Sequence, residues 1–124
     1  MSWIVEDLAS KDHFIKVNRW NWYPTLELIG AWGIIDSQRL EWMTSNGDVT
    51  ITEKEAQEIG TRLNAYLSIL SEKHRLQLNL KVTEKPDDFK LYEGKDMEKN
   101  YSATYQWLII FKDFCLTSKG FIVG

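Results

Sequence analysis

Cys115, His13 and His74 are the most reactive side chains of this sequence, and their spacing limits what they can do. A thiol nucleophile needs a base beside it. Neither histidine lies near Cys115 in the chain. Cys115 sits among Phe111, Phe114 and Leu116, where an inert buried thiol is the usual outcome. One cysteine and two distant histidines match no zinc-ligand spacing. A lone cysteine cannot form an internal disulfide, which fits a reducing compartment.

Carboxylates are the next candidates. Met43 to Ala56 resembles the second half of a calcium-binding EF-hand loop, with Asn46, Asp48, Thr52 and Glu55 at ligand positions. Thr44 stands where that loop needs its first acid, and Val49 where it needs its sharp-turn glycine. An Asn46-Gly47 turn followed by a helix capped by Thr52 and Glu55 accounts for the same residues. Asp87, Asp88, Glu93 and Glu98 lie in a polar stretch from Thr83 to Asn100, which reads as a long solvated acidic loop. Acid–base catalysis needs carboxylates with perturbed pKa values, and nothing there supplies them. There is no glycine-rich phosphate loop and no serine-nucleophile elbow. The sequence therefore assigns no catalytic residue, no metal and no cofactor.

The aromatic residues are the anomaly. The chain has six Trp, and Arg19, Trp20, Trp22 and Tyr23 fall together. Trp, Tyr and Arg dominate interface hot spots, so these four form a candidate partner-binding surface. The plainer use of the same rings, and the one favoured for them, is a lid over the open side of a small core. The leading expectation is a non-enzymatic protein-binding or accessory protein, of inhibitor or immunity type. The alternative is a small-molecule or enzymatic domain with a pocket lined by Trp22, Trp32, Trp42 and Tyr92, with Asn18, Arg19 and Asp36 as polar groups. A homodimer joined along an amphipathic helix is a third reading.

Composition narrows the partners. A net charge of −3, with 15 basic residues spread along the chain, argues against nucleic acid. No stretch approaches the roughly 18 apolar residues of a membrane helix. Acids near the N-terminus take the place of a signal peptide's basic region, so a cytoplasmic location is expected.

The elements that must position these residues follow from period and caps. The 124 residues, 1–124, read as one domain. Trp3, Ile4, Val5 and Leu8 allow a short helix within 1–12, and Phe14, Ile15 and Val17 a strand. Pro24 suits a first helical turn, Gly33 an end, and Asp36 the cap of another helix in which Leu40 and Met43 face inward. Ala56, Ile59, Leu63, Tyr66, Leu67 and Leu70 form an amphipathic helix interrupted by Gly60, which implies a close packing contact. Leu76, Leu78, Leu80 and Val82 alternate as a strand over 75–83. From a Ser102 cap to Gly120, the run holding Trp107, Leu108, Ile110, Phe111 and Phe114 is too apolar for the surface and reads as the central helix. Phe121–Val123 adds a short strand.

Asn21-Trp22-Tyr23-Pro24-Thr25-Leu26-Glu27-Leu28, the Asn46-Gly47 turn and the ending from Asn100 to Phe121 together resemble small, uncharacterised bacterial single-domain proteins. That resemblance implies no activity to transfer. The expected fold is α+β, with about four helices packed on a small, mainly antiparallel sheet.

Overall fold

Alternation builds the first layer from the start of the chain. The computed structural model describes residues 2–45, 47–85, 93–94 and 101–124. Strand β1 (Ser2–Asp7) turns Trp3, Val5 and Asp7 inward and Ile4 outward. The sequence predicts a short helix here. The strand forms instead because period two puts Trp3 and Val5 on one face and lets both backbone edges pair. β1 pairs antiparallel with β2 (Phe14–Asn18) and with β7 (Phe121–Val123), and β7 pairs with β3 (Val49–Ile51). The sheet order is β2-β1-β7-β3.

Helix α1 (Arg19–Trp32) follows β2 directly. Asn18 caps it, its side-chain oxygen accepting the Asn21 amide at 2.9 Å. Pro24 stands inside this helix rather than in its first turn, because the Asn18 cap starts the helix a turn earlier. Gly33 ends α1 at φ 71°. Asp36 caps α2 (Ser37–Trp42) by accepting the Arg39 amide, and Met43 beyond it is buried. Thr52 and Glu55 complete a capping box on α3 (Glu53–Leu67), which buries Ala56, Ile59, Leu63 and Leu67. The EF-hand-like stretch is thus divided between β3 and this cap, with Asn46 outside the described residues.

Leu76 to Val82 does not form one strand. β4 (Arg75–Gln77) and β5 (Val82–Thr83) form a hairpin whose turn holds Leu80 at φ 69°. β6 (Ser102–Thr104) pairs with the other edge of β4. The fold is α+β, as expected, with four helices among the described residues, but the strands there form two small antiparallel sheets rather than one. Apart from Glu84, Lys85, Glu93 and Gly94, the acidic loop 84–100 lies outside the described residues.

Helix α4 (Tyr105–Thr117) is capped by Thr104, because Ser102 belongs to β6. Trp107, Leu108, Phe111, Phe114 and Cys115 are buried, whereas Ile110 is half-exposed. Burying the large ones contributes on the order of 1.5–3 kcal/mol each before entropy. Ser118 closes the helix in extended conformation. Gly120 acts later than expected: at φ 92° it turns the chain into β7, where a Cβ would lie 2.8 Å from the Ile51 carbonyl oxygen. The buried Asp7 carboxylate accepts the Lys119 amide at 2.9 Å and so fixes this turn to β1.

Gly60 marks where α3 meets α4. A Cβ there would stand 2.7 Å from Leu116 Cγ and 3.2 Å from the Leu116 backbone nitrogen. Alanine normally stabilises a helix relative to glycine by roughly 0.5–1 kcal/mol. Here the contact reverses the sign. Gly60→Ala is expected to lower the unfolding free energy by about 1–3 kcal/mol, read as a lower urea midpoint at unchanged m-value. A raised midpoint would mean that the two helices sit farther apart.

Candidate functional site

A buried indole N–H or phenol needs an acceptor, and this requirement sorts the aromatic residues. Trp22 is fully buried and donates Nε1–H to the Met43 carbonyl at 2.9 Å. The Tyr23 hydroxyl donates to the Thr44 carbonyl at 3.4 Å, and Trp3 Nε1–H to the Ser45 carbonyl at 3.1 Å. Three aromatic donors therefore take three consecutive carbonyls at the end of α2, where the helix offers no further amides. Trp107 Nε1–H donates to Thr25 Oγ1 at 2.9 Å, and the Thr25 hydroxyl to the Asn21 carbonyl at 2.8 Å. Trp22 also meets Trp107 and Phe111 edge-on, at 6.3 and 5.6 Å between centroids. Of the four residues expected at a partner surface, Trp22 is thus held in the core.

The other three lie along a row of rings. Trp3 meets Tyr23 at 5.8 Å, Tyr23 stacks on Tyr101 at 5.3 Å, and Tyr101 meets Trp20 at 5.0 Å. Arg19 closes the row, its Cζ 5.0 Å from the Trp20 ring centroid. Arg19, Trp20 and Tyr23 are half-buried, and Tyr101 is buried. Arg19 Nε is screened from solvent and has no hydrogen-bond acceptor among the described residues. Sequence reasoning missed Tyr101, because no local spacing ties it to α1. Its neighbour β6 brings it there: the Thr104 amide donates to the Asn21 side-chain oxygen at 3.0 Å.

The expected aromatic pocket residues diverge. Trp22 is in the core, Trp32 sits edge-on to Tyr66 at 6.1 Å, and Trp42 is 52% exposed. Tyr92 lies outside the described residues. Three open grooves, each of 330–390 Å³, have no tryptophan in their walls. Asn18 and Asp36 serve as helix caps.

The reactive groups are equally committed. Cys115 is fully buried, and burial pushes its thiol pKa up, away from the thiolate a nucleophile needs. His13 packs on the Phe114 ring at 4.6 Å and hydrogen-bonds Thr117 Oγ1 at 3.0 Å. His74 Nδ1 accepts the Ser71 amide at 2.9 Å, which places its proton on Nε2, 3.2 Å from Glu84 Oε1. Ser71 Oγ is also 3.3 Å from Nδ1, so Ser71, His74 and Glu84 form a linked set. The nitrogen that would accept the hydroxyl proton already holds an amide hydrogen bond, and the set works as a closed turn. Among the described residues, no three His, Cys, Asp or Glu side chains converge to hold a metal.

Arg39 joins α2, β3 and α3. Its Nη1 and Nη2 bind the two Glu55 oxygens at 2.8 and 2.5 Å, its Nε binds Asp36 at 2.5 Å, and Nη1 also reaches the Thr50 carbonyl at 3.1 Å. The guanidinium holds Glu55 down to about 2, with the Thr52 amide and hydroxyl adding to the effect, and Asp36 is lowered by the same arginine. No protein-family model matches the chain, and neither a curated protein nor a solved structure matches it.

The Arg39–Glu55 pair predicts a pH signature. A carboxyl whose folded pKa is depressed stabilises the fold above its unfolded value, near 4.5, and loses that contribution as pH falls towards about 2. Glu55→Gln is expected to cost about 0.5–1 kcal/mol at neutral pH, given solvent screening. Urea unfolding of both proteins should show this gap closing between about pH 4.5 and 2. A gap that does not change with pH would place Glu55 outside the ion pair.

Proposed function

We propose that this protein acts by docking another protein, without chemistry of its own, on the face carried by Arg19, Trp20 and Tyr23. One observation carries the reading: a row of packed rings ends at a half-buried tryptophan under an arginine whose Nε finds no acceptor among the described residues. Trp, Tyr and Arg supply most of the binding energy at interfaces. Rings already packed on Tyr101 lose little freedom when a partner covers them. A screened donor without a partner costs about 1–3 kcal/mol, and folded proteins leave few of them. A carboxylate or carbonyl from a partner, drawn to the Arg19 guanidinium, would offset part of that cost. Trp22, bonded to Met43 and packed on Trp107 and Phe111, stays in the core and meets no partner itself. An inhibitor- or immunity-type accessory role has this character. A cytoplasmic setting goes with it, on the strength of the free, buried Cys115. No helix among the described residues is long and apolar enough to cross a membrane.

The test separates surface from core. Trp22→Ala is expected to cost about 3–5 kcal/mol, as core aromatic truncations do. Trp20→Ala and Arg19→Ala are expected to stay folded, with the melting temperature lowered by no more than about 5 °C. Used as baits in extract of the native host, the wild type should retain a partner protein that Trp20→Ala and Arg19→Ala bind at least about tenfold more weakly, or 1.4 kcal/mol. Undiminished capture by Trp20→Ala, or unfolding as severe as that of Trp22→Ala, would contradict the reading.

A further inference from the structure

The outward side chains of β1 and β2 form a square. Their register sets Ile4 opposite Lys16 and Glu6 opposite Phe14. Ile4 and Phe14 therefore occupy one diagonal, and Glu6 and Lys16 the other. Ile4 is 45% exposed and Phe14 47%. On β7, Ile122 extends the face beside Glu6. The opposite face holds Trp3, Val5, Val17, Phe121 and Val123 in the core. The free face of such a one-sided antiparallel sheet is ordinarily polar, so two large apolar side chains on adjacent strands of it call for an explanation. The charges are unmatched as well: among the described residues, neither Glu6 nor Lys16 takes part in an ion pair.

We infer that this face binds a second copy of the chain about a two-fold axis. The square is self-complementary. An axis lying between two stacked sheets, along the apolar diagonal, sets Phe14 against Phe14 and Ile4 against Ile4. The same rotation exchanges Glu6 with Lys16, so two ion pairs form at the flanks of the apolar contact. With strands about 4.8 Å apart and outward residues about 6.6 Å apart, the two sheets cross at roughly 70°, near the orthogonal class of sheet packing. A different protein would need none of this symmetry. A dimer along an amphipathic helix, the third reading of the sequence, finds no free apolar face on α3, whose Ile59, Leu63 and Leu67 are buried within its own chain. The sheet face covers on the order of 300 Å² in projection. That is well under the roughly 800 Å² per partner of a standard interface, so the dimer is a weak one. It uses a different surface from the Arg19–Trp20 row and stands or falls separately from it.

Sedimentation velocity over a dilution series up to about 1 mM reads the dimer directly. Lys16→Glu sets like charges against each other at both flanks and is expected to weaken self-association at least about tenfold. Glu6→Lys should do the same, and the double exchange E6K/K16E should restore wild-type affinity. Circular dichroism should be unchanged in all three, since these side chains point away from the core. Trp20→Ala should dimerise like the wild type. A wild type that stays monomeric across the series, a K16E variant of unchanged affinity, or a double exchange as weak as either single one overturns the inference.

Discussion

An indole N–H sealed inside an apolar core must find an acceptor, and Trp22 finds it at the Met43 carbonyl. Leaving that donor unpaired would cost about 1–3 kcal/mol. The bond therefore fixes how α1 approaches the end of α2, and the neighbouring bonds from Tyr23 and Trp3 repeat the constraint at Thr44 and Ser45. Once these carbonyls are held, β3 can start at Val49 and pair with β7. The Trp22 ring also sets the packing of α4, since Trp107 and Phe111 meet it edge-on. Helices α1 and α4 and the end of α2 share one indole.

This constraint divides the aromatic residues by duty. Trp3, Trp22 and Trp107 each pair their nitrogen inside the molecule, with Ser45, Met43 and Thr25. Much of the aromatic surplus is thus needed to close a small α+β fold. Trp20 differs in kind. It packs on Tyr101 and under Arg19 and stays half-buried. The protein-docking proposal rests on that remainder, and the dimer inference on an unrelated square of side chains across the sheet. Neither uses Cys115, His13 or His74, whose surroundings give each a packing or turn-closing role.

What could be read from the sequence was mostly at element ends. The Thr52–Glu55 box, the Asp36 cap and Gly33 are local signals, and each acts where its chemistry implies. Gly60 announced a close contact without naming Leu116. The misreadings have physical reasons. β1 carries a carboxylate, Asp7, on its buried face and Ile4 on its exposed face, so its alternation was masked by residue type. Leu80 adopts a left-handed conformation that leucine does not advertise, which cut one apparent strand in two. For the candidate site, Arg19, Trp20 and Tyr23 stood out by composition. Trp22 looked identical to Trp20, because only the fold decides which of them turns inward. Tyr101 was invisible, since its stacking on Tyr23 is a long-range contact with no sequence pattern.

Indole hydrogen exchange followed by NMR tests the division between core and surface most directly. The account predicts that the Trp22 and Trp107 Nε1 protons exchange at least about a hundredfold more slowly than those of Trp20 and Trp42, because opening them requires disrupting the core. Exchange of Trp22 as fast as that of the exposed Trp42 would contradict it.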